Sequence, residues 1–191
     1  YPEASSIAYV SGNDYNLTAK AIDGCGNEKE SSVSFTYSVG VSISLNLTAG
    51  WNMVSVPVIP ANSSVSSVFP GIAGIYAWNC YSQAYYIPTD VEPEEGYWVA
   101  VTEDSNITVC GEPVYQWTTD ICAGWNMIGS AYNCTVDFTH PDDIPDGSVA
   151  GFAYWWNPLT KSYELVYSIE SGKGYWSAAI CDCTLTLACP E

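Results

Sequence analysis

The chain has 191 residues and sets 21 acidic side chains against four lysines and no arginine, a net charge of −17. That balance excludes binding to a nucleic-acid backbone or insertion into an anionic membrane surface, both of which need a cationic face. Eight cysteines beside a single histidine, with no CxxC spacing, read as disulfides of an oxidising compartment rather than as metal ligands.

Residues 1 to 40 read as the end of a domain. Tyr15 to Ile22 alternates, Asp23-Gly24-Cys25-Gly26-Asn27 supplies turn residues, and Ser32 to Val39 alternates again, which predicts a β-hairpin. A hairpin alone is marginal and its edges need covering, so another segment or another chain is expected to complete it. The chain opens at Tyr1 with neither an initiator Met nor a leader, which predicts a processed or partial product.

The remainder is a tandem repeat, with copies at 41–114 and 115–191. Gly50-Trp51-Asn52-Met53 returns as Gly124-Trp125-Asn126-Met127, and Gly96-Tyr97-Trp98 returns as Gly174-Tyr175-Trp176. The first anchors stand 74 residues apart, whereas Trp78-Asn79 and Trp156-Asn157 stand 78 apart, so a four-residue loop difference lies between Val54 and Tyr76 or in the matching stretch. Short aromatic and β-branched runs separated by Gly, Pro, Asn and Asp predict an all-β fold, two tandem small sandwiches or barrels. Strands are expected near 43–48, 51–58, 73–79, 83–88, 96–102 and 106–110, and near 118–122, 125–130, 149–156, 162–168, 174–180 and 184–188. Pro141 to Gly147 is expected to hold one short turn at most. Trp51, Trp98, Trp125 and Trp176 read as core residues, with Trp78 and Trp156 half exposed beside hairpin turns.

Little in the sequence predicts catalysis, and no catalytic residue is assigned. His140 stands in a turn signature, and Glu94-Glu95 is matched by Gly172-Lys173 in the second copy, so a carboxylate pair would serve one copy only. Calcium is the one ion weighed as a cofactor, with Asp90 and Glu92 in one acidic loop and Asp142, Asp143 and Asp146 in another. Neither follows the spacing of a calcium loop, and a solvated acidic face is the plainer reading. Trp78, Tyr81, Tyr85, Tyr86, Trp155 and Tyr163 form a possible stacking surface for glycans.

Five N-x-S/T sequons, at Asn16, Asn46, Asn62, Asn106 and Asn133, predict glycosylated surface positions. The cysteines divide among the segments as Cys25 in the hairpin, Cys80 and Cys110 in the first copy, and Cys122, Cys134, Cys181, Cys183 and Cys189 in the second. Pairing all eight requires bridges between segments or chains. The preferred pairing joins Cys122 to Cys181 or Cys183, across the Gly-Trp and Gly-Tyr-Trp strands. No run of apolar residues approaches the length that spans a bilayer.

Two resemblances bear on function. Ala21-Ile22-Asp23-Gly24-Cys25-Gly26-Asn27 resembles the turn in the last hairpin of immunoglobulin-like repeats of bacterial and archaeal surface proteins. The GWN…WN…GYW pattern resembles a repeat of archaeal and bacterial secreted surface proteins, S-layer-like and adhesin-like chains among them. These resemblances imply a secreted, extracellular or cell-surface structural protein whose partners are copies of itself, assembled as an oligomer or filament by strand complementation. The alternative is a carbohydrate-binding adhesion module of a larger surface protein.

Overall fold

A computed structural model describes residues 13–22, 26–37 and 40–190, with side chains for all of these except 13–17 and 35–37. Cys25 and the side chain of Asn16 therefore lie outside the described residues. Two compact units are present, residues 1–40 and residues 41–191.

The first unit is the hairpin read from the alternation. Strands β1 (Asn13–Ile22) and β2 (Glu28–Tyr37) pair antiparallel from Asn13 opposite Tyr37 to Ile22 opposite Glu28, and neither pairs with another strand among the described residues. Lys20 and Glu28 form an ion pair of 2.7 Å near the turn.

The second unit contains both repeats, each a small sandwich, so the chain is all-β. The first repeat runs β3 (Val41–Leu47), β4 (Gly50–Val54), β5 (Val58–Pro60), a single helical turn α1 (Val65–Val68), then β6 (Gly74–Asn79), β7 (Ala84–Tyr86), β8 (Tyr97–Val101) and β9 (Ser105–Pro113). Its strands form a three-stranded sheet, β3-β9-β5, and a four-stranded sheet, β4-β8-β6-β7. The second repeat runs β10 (Gln116–Ile121), β11 (Gly124–Ile128), β12 (Thr135–Asp137), β13 (Asp142–Ile144), β14 (Ala153–Asn157), β15 (Ser162–Val166), β16 (Ser168–Glu170), β17 (Tyr175–Ala179) and β18 (Cys183–Ala188). Its sheets are β10-β18-β13 and β11-β17-β14-β15, with β12-β16 as a short extra pair.

Two departures from the expected strands have local causes. The expected strand 51–58 is split: Ser55 leaves the sheet to bond across to the second repeat and Val56 turns into the first core, and Ser55, Val56 and Pro57 are all fully buried. The stretch 141–147, expected to hold only a turn, contributes β13, whose Asp142, Asp143 and Ile144 pair with Thr186, Leu185 and Thr184. The four-residue difference belongs to this region: the second repeat builds β12 and β13 where the first builds β5 and α1.

Strand alternation fills each sandwich from its inner faces. In the first repeat Tyr97, Val99 and Val101 of β8 meet Leu45, Leu47, Ile107 and Val109 of the other sheet. In the second, Tyr175 and Ala179 of β17 meet Trp117, Ile121, Leu185 and Leu187. The tyrosine, not the tryptophan, of each Gly-Tyr-Trp anchor is the core residue: Tyr97 and Tyr175 are fully buried, and their hydroxyls accept the amides of Glu92 and Glu170 at 2.8 and 2.9 Å.

The asparagine of each Gly-Trp-Asn anchor locks the turn before it. Asn52 accepts the Thr48 amide at 2.9 Å and donates to the Thr48 and Gly50 carbonyls at 2.8 and 3.2 Å. Asn126 makes the same three bonds to Cys122 and Gly124, at 3.1, 2.9 and 3.2 Å. Gly50 and Gly124 have φ of +102° and +101°, a conformation that favours glycine.

A pseudo-two-fold axis relates the repeats and passes between Gly96 and Gly174. Ser55 N–H donates to Gly172 O at 3.0 Å, and its mate Gly129 N–H donates to Glu94 O at 2.6 Å. Val54 bridges to Lys173 and, symmetrically, Ile128 bridges to Glu95, so each four-stranded sheet continues into the other at the axis. A side chain on Gly174 would meet Val54 O at 2.6 Å, and one on Gly96 would meet Ile128 O at 2.8 Å. The sequence mismatch of Ser55-Val56 with Gly129-Ser130 has a matching cause. At 129 a β-carbon would collide with Pro93 O, whereas at 55 the serine fits and its hydroxyl reaches that of Ser130 at 2.7 Å.

Candidate functional site

Period-two alternation that sends Tyr97 and Val99 inward sends Trp98 outward, and the same holds along β4 and β6 and along their mates β11, β14 and β17. Trp51 and Met53 of β4, Tyr76 and Trp78 of β6, and Trp98 of β8 face away from the first core. Trp125, Met127, Tyr154, Trp156 and Trp176 do so in the second repeat. The expectation of core positions for Trp51, Trp98 and Trp125 is thereby corrected, whereas Trp176 is buried as expected, in a third cluster with Met53 and Met127 on the outer face. Trp51 and Trp125 are 43% and 44% exposed, and Trp98 and Trp176 pack on the methionines of the outer face.

These rings build two grooves related by the pseudo-two-fold axis. One, of about 370 Å³, is lined by Trp51, Tyr76, Trp98, Trp156, Tyr163 and Tyr85. The other, of about 540 Å³, is lined by their mates Trp125, Tyr154, Trp176, Trp78, Tyr85 and Tyr163, with Gln83 added. Ring contacts repeat across the axis within a fraction of an ångström. Trp98 to Trp156 is 5.5 Å and Trp176 to Trp78 is 5.2 Å; Trp156 to Tyr163 is 5.3 Å and Trp78 to Tyr85 is 5.1 Å, all edge to face. Each groove takes its far wall from the other repeat. Trp156 Nε1 donates to Trp51 O at 3.0 Å, and Trp78 Nε1 donates to Trp125 O at 2.8 Å. Neither groove exists in a single repeat.

Of the six aromatic residues read as a stacking surface, Trp78, Tyr85 and Tyr163 line the grooves. Trp155 belongs to the inner face, packed on the second core with the Lys173 ammonium 4.2 Å from its ring centroid. Tyr81 is 80% exposed at the β6–β7 turn, and Tyr86 turns aside to donate to Glu95 at 3.3 Å. Trp51, Tyr76, Trp98, Trp125, Tyr154, Trp156 and Trp176 were missed as groove residues, although the alternation in Tyr97-Trp98-Val99 already carried the signal.

Behind Trp78 and Trp156 lie two smaller, polar clefts that are also mates across the axis, and here the repeats differ in charge. The first holds Glu94, Glu95 and Asp120; the second holds Gly172, Lys173 and Asn46. Glu95 accepts the Tyr97 hydroxyl at 2.8 Å, and burial pushes its carboxyl above the usual carboxylate range despite that bond. Tyr86 is pushed up to about 12, by burial first and then by the Glu95 charge. Lys173 instead pairs with Glu170 at 2.7 Å.

The other expected sites do not converge. Asp90 accepts the hydroxyls of Ser63 and Thr89 at 2.8 and 2.9 Å, Glu92 is exposed, Asp142 and Asp146 point to solvent, and Asp143 is buried against the Ser148 and Val149 amides. Among the described residues no group of three or more carboxylate, thiol or imidazole side chains gathers around a common point. His140 is exposed, with Nδ1 3.0 Å from the Thr139 hydroxyl. Asn46, Asn62, Asn106 and Asn133 are exposed, and Asn106 lies directly opposite Asn46 across β3 and β9, donating to it at 2.5 Å.

Among the described residues two disulfides are present, Cys80–Cys122 and Cys134–Cys189, while Cys110, Cys181 and Cys183 are free. The pairing of Cys122 with Cys181 or Cys183 is corrected. Cys122 opens the short turn after β10 and is bonded to Cys80 in the β6–β7 turn of the first repeat, so its bridge crosses between repeats. No helix among the described residues is long and apolar enough to cross a membrane.

Set against protein-family models, curated proteins and solved structures, the chain finds no match in any of the three. Its class rests on its own geometry: an all-β, disulfide-bonded chain whose two fused sandwiches share one aromatic face.

Proposed function

We propose that this chain is an extracellular, non-enzymatic module of a surface protein and that its twin grooves bind carbohydrate. The observation that carries the reading is the pair of open, pseudo-equivalent grooves, each walled by three indoles and three phenols, with Trp51, Trp125, Tyr85 and Tyr163 among the rings left exposed. Sugar rings present apolar C–H faces and hydroxyl edges. Indole and phenol rings match the faces, and tyrosine hydroxyls with the Gln83 amide match the edges. A net charge of −17 disfavours acidic polymers and favours neutral glycans.

Titration of the intact chain with a panel of neutral β-linked and α-linked oligosaccharides, followed by tryptophan fluorescence and calorimetry, tests the reading. A saturable fluorescence change with up to two sites is expected, and Trp51→Ala and Trp125→Ala should each remove one site. No heat and no spectral change across the panel would turn the assignment against glycans.

A second reading is a self-assembling subunit, favoured by the β1–β2 hairpin, whose outer edges pair with no other strand among the described residues. In that reading a strand from a neighbouring copy extends the hairpin. Electron microscopy of unreduced material is the check: ordered fibres support it, and dispersed single particles at high concentration remove it.

A further inference from the structure

Cys181, in the turn between β17 and β18, and Cys183, the first residue of β18, are taken by neither disulfide. Free thiols are unexpected in a chain that forms two other bridges. Cys181 meets the hydroxyl of Ser148. Ser148 Oγ donates its proton to Pro145 O at 2.6 Å, so its oxygen is left to accept from Cys181 Sγ at 3.2 Å. Cys183 begins β18 and is 8% exposed; Cys181 is open to solvent.

Beside Cys183 stands Asp143, 5% exposed. Its Oδ2 accepts the amides of Ser148 and Val149 at 2.5 and 2.9 Å, while Oδ1 is buried without a partner. Burial pushes the Cys183 thiol up, and the charges of Asp143, Cys181 and Asp182 add to the effect. A thiol kept protonated beside a desolvated carboxylate is a poor first nucleophile, whereas an exposed thiol two residues away is an accessible one.

We propose that Cys181 and Cys183 form a redox site, closing on each other as a disulfide by exchange with a small-molecule or protein disulfide. The Cys181 thiolate attacks one sulfur of the incoming disulfide, forming a mixed disulfide and releasing the first thiolate. Cys183, on losing its proton to solvent, attacks Cys181 Sγ and displaces the second thiolate. Two cysteine thiols are oxidised, one external disulfide is reduced to two thiols, and the two protons end on the released sulfurs. Closing so short a loop removes little chain entropy, so the bridge is a reversible site rather than a structural staple. Oxidation also replaces a titratable thiol beside Asp143 with a neutral disulfide.

The test uses the intact chain with oxidised glutathione as the probe. After exposure, free thiols are blocked under denaturing conditions and the chain is cleaved on the N-terminal side of Asp182, which separates the two cysteines. The expected result is that the two fragments remain joined until reduction, with neither cysteine blocked. Blocked thiols at both positions, or either cysteine joined to Cys25, to Cys110 or to another chain, would overturn the proposal. A Cys183→Ser variant gives an independent reading, since without the resolving thiol Cys181 should hold glutathione as a lasting adduct, at least tenfold more than the unaltered chain. Equal adduct in the two chains would remove Cys183 from the role.

Discussion

At the scale of single residues, the two anchor asparagines do similar work in different surroundings. Each has its oxygen and both amide hydrogens committed to backbone groups of the preceding turn, so no conservative replacement satisfies all of them. Asn126→Ala is expected to cost about 3 kcal/mol, because it leaves buried backbone groups without partners. Asn126→Asp should cost more at neutral pH than at pH near 4, since an ionised carboxylate would face two carbonyl oxygens. Denaturant midpoints for the two variants check both statements. Glu95 gives the second prediction. Its pKa in the fold lies above the ordinary 4.5, so the fold favours the protonated form. That contribution is fully present below the unfolded value and is lost as pH rises through the folded value. Glu95→Gln keeps an acceptor for Tyr97 and removes the desolvated charge. Its stability relative to the unaltered chain should therefore rise above pH 4.5 and converge with it below, as followed by thermal unfolding across that range.

At the scale of elements, the Cys80–Cys122 bridge fastens the β6–β7 turn of the first repeat to the strand entry of the second. Their sequence separation of 42 gives a chain-entropy contribution of about 4 kcal/mol. A Cys80→Ser, Cys122→Ser chain is expected to lose about 2 to 4 kcal/mol by denaturant unfolding and to keep the same sheets by circular dichroism. A loss of β signal on that double replacement would mean the bridge directs folding rather than fastening it. The hairpin, the repeat and most strands were legible in the sequence, because the patterns that specify them are local: period two, turn residues and duplicated anchors. Strand β13 was not, since Pro141 and Pro145 flank it and only its partner β18, distant in sequence, makes it a strand. The grooves were half legible. Trp98 was assigned inward on size alone, although Tyr97 and Val99 on either side of it occupy the inner face. The disulfides were opaque because β6–β7 and the β10–β11 turn meet only through the packing of one repeat on the other.

At the scale of the molecule, the two repeats are a fused pseudo-dimer whose halves have become unequal, and the inequality makes a prediction about the halves apart. The first repeat alone loses the partners of Ser55 N–H and Glu94 O and the second wall of both grooves. A second copy of itself does not replace them. In such a pair Ser55 would take the place of Gly129, where any β-carbon collides with Pro93 O, and Val56 would take the place of Ser130, removing the hydroxyl that Ser55 meets. The second repeat lacks that obstacle, because Gly129 would face Ser171-Gly172. Residues 41–114 produced alone should therefore stay largely unfolded and monomeric. Residues 115–191 should show weak self-association, and an equimolar mixture of the two should fold as a one-to-one complex with the tryptophan emission of the intact chain. Sedimentation equilibrium with fluorescence reads all three. A folded, stable monomer of 41–114 would show that the sandwiches are independent domains, and that the Gly96–Gly174 contact joins two finished structures instead of completing them.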